Sequence, residues 1–124
     1  MTPPPLRVLF CLGINQNFFD LPTDGITSGD VWKATMAFVD GLKALPGLTY
    51  IADIDDDAHM VGPSEGWPWT FYVLADADSQ ETVKAACNLV RTTPVGSGEV
   101  KFWRFVRIEA RIGRALTVRD DVAV

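Results

Sequence analysis

The amino-acid sequence predicts an α+β fold in which a four-stranded antiparallel sheet carries two helices on one of its faces. Apolar residues alternate with a period of two in four segments and recur every three or four residues in two others. Along the chain these segments follow the order strand, helix, strand, strand, helix, strand. The length of 124 residues, of which 48% are hydrophobic, is sufficient for one domain with its own core.

The first strand and the first helix follow an arm of three consecutive prolines. The run "LRVLFCLGI", from Leu6 to Ile14, is apolar on both faces and therefore predicts a central strand. Asp30 is the expected N-cap of the first helix, because its carboxylate can accept hydrogen bonds from the free N–H groups there. The helix should end at the Pro-Gly pair at 46–47. Its buried face is predicted from five regularly spaced residues, Val31, Thr35, Phe38, Leu42 and Leu45.

The second half of the chain predicts two strands, a helix and a final strand. The strands "LTYIADI", 48–54, and "WTFYVL", 69–74, are joined by a long polar connection. Asp78 opens the second helix with Glu81 as its capping-box partner, and Pro94 ends that helix. The last strand is "VKFWRFVRIEA", from Val100 to Ala110. We therefore expect one ferredoxin-like βαββαβ domain over residues 1–124, with its core at about residues 6–112 and a short C-terminal tail.

The alternation along this last strand has a consequence for assembly. It places Trp103 and Phe105 on the helix-free face of the sheet, the face opposite the two helices. Exposed apolar surface costs about 25 cal/mol per Å². A second copy of the sheet, packed face to face across a twofold axis, would bury both rings. The sequence therefore predicts a homodimer, a dimeric α/β barrel, whose paired sheets enclose a cavity.

Charge and composition exclude several classes of function. The net charge of −5 argues against a nucleic-acid partner, since binding to phosphates requires a basic surface. No apolar run reaches the roughly 18 residues that a membrane span needs, so we expect no membrane association. Cys11 and Cys87 both lie in apolar runs, and no secretion signal precedes them. We expect reduced thiols and a cytoplasmic location.

Three amides followed by two aromatic rings end the first strand, in the stretch "NQNFF". Asn15 and Asn17 can each donate and accept hydrogen bonds, and can therefore orient a neutral polar ligand at the rim of the sheet. Phe18 beside them can supply an apolar wall. The alternative is an ordinary turn stabilised by asparagine side chains. Under the first interpretation, these three residues bind the ligand.

His59 is the only histidine and the candidate for acid–base catalysis, because its unperturbed pKa lies near neutrality. It follows three aspartates, at 55–57, that lack the spacing of a calcium loop, and no second histidine or cysteine accompanies it. We therefore expect no metal ion. The chain contains no glycine-rich phosphate loop, CxxC or GxSxG motif, and we expect no cofactor. A surface loop without a catalytic role is the alternative for His59.

Tryptophans are the candidates for contact with an aromatic ring. Trp67 and Trp69 lie two residues apart, so in an extended chain their indoles point the same way and can grip a flat ligand. Trp103 would line the cavity between the paired sheets. The alternative is a hydrophobic clamp that closes one end of the barrel.

Two arginines are the candidates to hold a carboxylate. Arg91 follows the apolar stripe of the second helix, and Asn88 precedes it by three residues. Arg111 lies on the helix-free face of the last strand with Glu109. The alternatives are a solvated helix face for Asn88 and Arg91, and a ladder of ion pairs at the dimer seam for Arg111.

The arrangement of elements over residues 6 to about 112 resembles the dimeric α/β-barrel superfamily. Its members include cofactor-free monooxygenases, muconolactone isomerase-like enzymes and stress-responsive barrel proteins. The stretches "VLFCLGINQNFFD", "DIDDDAHMVGPSEGWPWTFY" and "ACNLVRTTPVG" are similar to the small B-protein family of bacterial indole-3-acetic acid degradation clusters. This resemblance implies an aromatic substrate with a carboxylate, handled in bacterial cytoplasm, and it assigns no catalytic residue.

Together, these observations predict a protein of aromatic-compound catabolism that binds an indole-3-acetic acid-like ligand in a barrel cavity. Conversion of that ligand by a cofactor-free oxidation, isomerisation or hydrolysis, with His59 as the proton-transfer group, is one open interpretation. The second is a non-catalytic binding or accessory protein of the same pathway. The third is a structural protein whose barrel is filled with side chains.

Overall fold

The computed structural model of the protein describes residues 4–14, 26–56, 69–97 and 99–116. Within these ranges the chain forms the expected succession of strands and helices, with a short hairpin inserted before the last strand. The elements are β1 (Leu6–Ile14), α1 (Ser28–Ala44), β2 (Leu48–Asp55), β3 (Phe71–Ala77), α2 (Gln80–Thr92), β4 (Pro94–Val95), β5 (Val100–Lys101) and β6 (Val106–Gly113). A single 3-10 turn, Phe102–Arg104, separates β5 from β6.

Four strands form one antiparallel sheet in the order β2-β3-β1-β6. β1 pairs with a neighbour on both sides, which confirms that the strand apolar on both faces is central. The α+β class, the four-stranded antiparallel sheet and the two helices are therefore confirmed, and this architecture is consistent with a ferredoxin-like fold.

The hydrophobic core lies between the two helices and one face of the sheet. The central strand contributes Val8, Phe10 and Leu12, all fully buried. The helices contribute Val31, Ala34, Phe38, Leu42, Val83, Ala86 and Val90. Burial of each large apolar side chain is worth about 1.5–3 kcal/mol, so this layer supplies most of the hydrophobic stabilisation.

Both helices begin at a residue other than the expected one. Thr27 is the N-cap of α1, and it forms a capping box with Asp30: the Asp30 N–H donates to Thr27 Oγ1 at 3.1 Å, and the Thr27 N–H donates to Asp30 Oδ2 at 3.0 Å. Ser79 caps α2 by accepting from the Thr82 N–H at 3.2 Å. The expected caps, Asp30 and Asp78, were each displaced by a neighbouring hydroxyl residue.

The prediction of one continuous strand from Val100 to Ala110 is wrong. β4 and β5 form a two-stranded hairpin whose turn contains Gly96 in the left-handed conformation, at φ +62°. After β5 the Phe102 N–H donates to the Thr93 carbonyl at 2.9 Å, and the Phe102 ring lies 5.7 Å from that of Phe38, between ring centroids. The chain therefore turns into the helix layer before it re-enters the sheet at Val106.

This turn overturns the predicted positions of Trp103 and Phe105, neither of which lies on the helix-free face. Phe105 is 4% exposed and belongs to the core. Trp103 is 56% exposed and lies beside α2. The prediction assumed that successive side chains alternate between the two faces of the sheet. In a 3-10 turn they do not alternate in this way.

The helix-free face of the sheet has a different composition from the one expected. Cross-strand pairing arranges it in two main rows. The first row consists of Ala52, Leu74, Leu9 and Arg111, and the second of Ile54, Tyr72, Cys11 and Glu109. Beyond the first row, Arg7 pairs with Asp76, with Nε 2.6 Å from Oδ1. This face is therefore apolar in the middle and charged along its rim.

The two aromatic residues of the turn should differ sharply in their effect on stability. We expect Phe105→Ala to lower the free energy of unfolding by about 3–5 kcal/mol, because it leaves a cavity in the core. Trp103→Ala should change it by less than about 1 kcal/mol, since much of that ring is in solvent. Chemical denaturation followed by circular dichroism measures both variants. Equal losses would show that Phe105 and Trp103 do not occupy these two environments.

Candidate ligand-binding groove

A groove of about 540 Å³ lies between α2, the 3-10 turn and the edge strand β6. We refer to it as the α2 groove. Its lining consists of Cys87, Asn88, Val90, Arg91, Trp103, Val106 and Ile108. Three of the residues selected from the sequence for ligand binding, Asn88, Arg91 and Trp103, therefore meet at one site. They do so on the helix side of the sheet, and not between paired sheets as expected.

Two elements bring these three side chains together. Asn88 and Arg91 are three residues apart in α2, so they lie on the same helix face about one turn apart. Trp103 comes from the 3-10 turn, which the hydrogen bond from the Phe102 N–H to the Thr93 carbonyl fixes against the end of α2. The Thr93 hydroxyl in turn donates to the Leu89 carbonyl at 2.7 Å. Backbone hydrogen bonding thus fixes the position of the aromatic wall relative to the helix.

The electrostatics of the groove are set by Arg91, in the last turn of α2. A cation there is favoured, since the unpaired carbonyl groups of a helix C-terminus carry partial negative charge. Among the described residues, no carboxylate lies within ion-pair distance of Arg91. Arg7 and Arg111, by contrast, pair with Asp76 and Glu109. Within the described residues, the guanidinium of Arg91 can therefore bind the carboxylate of a ligand without breaking an intrachain ion pair.

Cys87, which the sequence places in an apolar run, also lines the groove. It is partly exposed, and its burial raises the pKa of its thiol above the ordinary value. Cys11 is buried in the sheet, where burial is again the main cause of a raised thiol pKa. Both cysteines are free, and both are held as neutral thiols at neutral pH.

Arg111 and Trp69 do not reach the α2 groove. Arg111 lies on the helix-free face, where its Nε donates to Glu109 Oε2 at 2.9 Å, and this hydrogen bond raises its pKa. An ion pair between Arg111 and Glu109 is therefore present within the chain, and the ladder of ion pairs at a dimer seam stays a prediction. Trp69 lies before β3, with the Arg107 guanidinium carbon 6.0 Å from its ring centroid. This cation–π contact gives Trp69 a partner within the chain.

The remaining candidates lie outside the described residues. These are Asn15, Asn17 and Phe18 after β1, and His59 and Trp67 between β2 and β3. Their proposed contributions to ligand binding, and the proposed catalytic role of His59, stay predictions.

Sequence reasoning missed a second cavity, of about 230 Å³, between α1 and the β2 side of the sheet. Trp32 and Met36 line it from the helix. Both lie off the buried stripe of α1 and are largely exposed. Two large apolar residues spaced by four on the solvent side of an otherwise amphipathic helix are the signal that could have indicated it.

Within the described ranges, no group of three or more histidine, cysteine or acidic side chains is arranged to hold a metal ion. In the same part of the chain, no helix is both long enough and apolar enough to cross a membrane. Comparison of the sequence and structure with protein-family models, with curated proteins and with solved structures found no match.

The two thiols should differ in their reaction with iodoacetamide. We expect Cys87 to be alkylated slowly at pH 7, because burial disfavours its thiolate. In a plot of its alkylation rate against pH, the midpoint should lie above the ordinary thiol pKa of 9.0. Cys11 should react more slowly still, since it is 1% exposed. Peptide mass spectrometry across a pH series measures both rates, with Cys11→Ser as the control for assignment. A midpoint for Cys87 below 9.0 would contradict the burial described here.

Proposed function

We propose that the protein binds a small aromatic carboxylic acid in the α2 groove. The observation that supports this proposal is the convergence of a cationic fork, an amide and an exposed indole at one site. The sequence predicts ligand contacts for Arg91, Asn88 and Trp103, and all three line this groove. Each of them supplies a different part of the recognition of such a ligand.

The chemistry of the three side chains is complementary to an aromatic acid. The guanidinium of Arg91 can donate two parallel hydrogen bonds to a carboxylate, a geometry that lysine cannot provide. The indole of Trp103 offers a flat face for an aromatic ring. The side-chain oxygen of Asn88 can accept a hydrogen bond from a ring N–H. Val90, Val106 and Ile108 provide an apolar lining beneath these polar groups.

We further propose that the natural ligand resembles indole-3-acetic acid. In indole-3-acetic acid, the indole ring supplies an aromatic surface and an N–H, and the acetate group supplies a carboxylate. The groove can accommodate all three. The resemblance of the sequence to proteins of indole-3-acetic acid degradation clusters supports the same ligand, and with it a role in aromatic catabolism in bacterial cytoplasm. The groove chemistry supports an aromatic acid, and the sequence resemblance alone points to indole-3-acetic acid and its pathway.

The described lining of the groove supports binding, and a conversion of the ligand depends on His59. Incubation of the purified protein with indole-3-acetate separates the two functions. A product that disappears in a His59→Ala variant would establish a cofactor-free enzyme. Saturable binding with unchanged ligand would favour a non-catalytic binding protein.

Loss of the groove arginine should weaken binding of indole-3-acetate. We expect Arg91→Ala to raise the Kd about 10- to 100-fold, because charge-assisted hydrogen bonds contribute about 1.5–3 kcal/mol. The Kd of Arg91→Lys should lie between those of Arg91→Ala and the wild type, since lysine keeps the charge but not the bidentate geometry. Isothermal titration calorimetry measures all three proteins.

Arg111→Ala is the matched control, because it removes an arginine from the helix-free face that is paired with Glu109. Its Kd should remain within about twofold of the wild-type value. A loss of affinity in Arg111→Ala with none in Arg91→Ala would move the carboxylate site to the other side of the sheet and refute the proposal.

We also propose that the helix-free face forms a twofold dimer interface, so that two sheets assemble as a dimeric α/β barrel. Trp103 and Phe105 no longer support this assembly, but the two cross-strand rows do. Leu9, Leu74 and Tyr72 are only partly buried in the single chain, and Ile54 is 62% exposed. A second copy would remove this apolar centre from water.

The charges on the helix-free face are arranged in a self-complementary way. Arg107, Glu109 and Arg111 lie on the helix-free face of β6, at one edge of the sheet, and give that edge a net positive charge. Asp56 follows β2, at the opposite edge, where it accepts a hydrogen bond from Tyr72 at 3.1 Å. A twofold axis parallel to the strands would place the β6 edge of one copy over the β2 edge of the other. Unlike charges would then face each other, which favours this orientation.

A charge placed in the centre of this face should separate the two copies. We expect the wild type to sediment at twice the chain mass of 13.6 kDa, and Leu74→Glu to sediment as a monomer because it would bury an unpaired carboxylate. Ala85→Glu, on the solvent side of α2, is the control and should stay dimeric. Sedimentation velocity measures all three. A wild type that is monomeric at high concentration would eliminate the barrel.

A further inference from the structure

The second cavity, between α1 and the β2 side of the sheet, is separate from the α2 groove, and no described residue lines both. We refer to it as the α1 cavity. Its volume is about 230 Å³, below the roughly 300–1,000 Å³ of typical sites for drug-sized ligands. The residues used below are Trp32, Met36, Lys43, Tyr50, Asp53, Asp55 and Phe71. The size fits a small ring system.

The interior of the α1 cavity is largely apolar, and its neutral polar side chains each have a hydrogen-bond partner within the chain. The Thr35 hydroxyl donates to the Val31 carbonyl at 2.9 Å. Thr70 Oγ1 accepts from the Ile14 N–H at 2.9 Å. The Tyr50 hydroxyl donates to Asp53 Oδ2 at 2.6 Å, and burial together with this bond raises its pKa. A ligand there gains mainly from contact with apolar and aromatic surface.

Large apolar side chains surround the mouth of the cavity and are exposed to water. Trp32 is 59% exposed and Met36 47%. Contiguous exposed apolar surface of this kind is typical of a binding site, whereas single exposed apolar residues are common. Trp32 and Met36 belong to α1 and Phe71 to β3, so a ligand in the cavity would contact both the helix and the sheet.

The charge at the rim selects the kind of ligand. A register shift in β2 between Tyr50 and Ala52 turns Asp53 and Asp55 to the helix side, opposite Val73 and Phe71. Lys43 is the one cation among the described residues of this lining, and its ammonium lies 5.0 Å from the centroid of the Tyr50 ring. Two carboxylates against one ammonium leave the rim acidic at neutral pH. An organic anion is therefore disfavoured and an organic cation favoured.

We propose that the α1 cavity binds a small aromatic amine. The ring of the amine lies among Trp32, Met36 and Phe71, and its ammonium lies toward Asp53 and Asp55. This site does not depend on the proposed function, because the α2 groove has the opposite charge and selects a carboxylate. The protein then carries two ligand sites of opposite charge preference on either side of its helix layer.

Three probes that share one ring system test this inference: tryptamine, which is cationic at neutral pH, indole, which is neutral, and indole-3-acetate, which is anionic. Each is titrated into the full-length protein by calorimetry at low salt. Tryptamine should bind most tightly to the α1 cavity. In the double variant Asp53→Asn with Asp55→Asn, its affinity should fall about three- to tenfold, and that of indole should stay the same. Asp40→Asn, an exposed acid of α1 outside the lining, is the matched control and should have no effect.

Two further variants keep the test independent of folding and of the α2 groove. Met36→Ala, at a partly exposed position, should weaken the binding of both tryptamine and indole and leave the circular dichroism spectrum unchanged. Arg91→Ala should leave tryptamine binding intact even if binding of indole-3-acetate is lost. The inference is overturned if tryptamine fails to saturate, if the double Asp→Asn variant binds it as tightly as the wild type, or if Arg91→Ala abolishes its binding.

Discussion

The candidate groove depends on one constraint, the fixing of the chain at Phe102 to the end of α2. The Phe102 N–H donates to the Thr93 carbonyl, and the ring of Phe102 packs against Phe38 in the core. This diverts the chain from the sheet for one 3-10 turn and exposes Trp103 beside Arg91. Without it, the strand would run continuously and Trp103 would lie on the other side of the sheet, away from α2.

The parts of the fold that could be predicted are those in which local pattern and tertiary environment agree. The stripe Val31, Thr35, Phe38 and Leu42 is buried as its spacing indicates. The apolar run of β1 is central because both of its faces are apolar. The helix caps were misplaced by only a few residues, since Thr27 and Ser79 compete with nearby aspartates for the same N–H groups.

The last strand could not be predicted because its pattern fits two structures. Alternation from Val100 to Ala110 is compatible with a strand, but the burial of Phe102 and Phe105 depends on contacts with helices distant in sequence. The same turn decides which candidates meet. The residue types suited to an aromatic acid were recognised, but Arg111 and Trp69 were expected in the same cavity and have partners elsewhere. Spacing alone does not reveal which side of a sheet a distant helix covers.

The fold thus offers an Arg-containing groove beside α2, an acidic cavity beside α1 and an apolar sheet face suited to a second copy. Its central functional claim is that an aromatic acid occupies the α2 groove. Chemical-shift mapping by NMR with ¹⁵N-labelled protein and indole-3-acetate tests this claim most directly. The account predicts the largest shifts at the Trp103 indole N–H and at the amides of Asn88 and Arg91. Shifts concentrated at Trp32 or at Leu9 and Leu74, with none at Trp103, would contradict it.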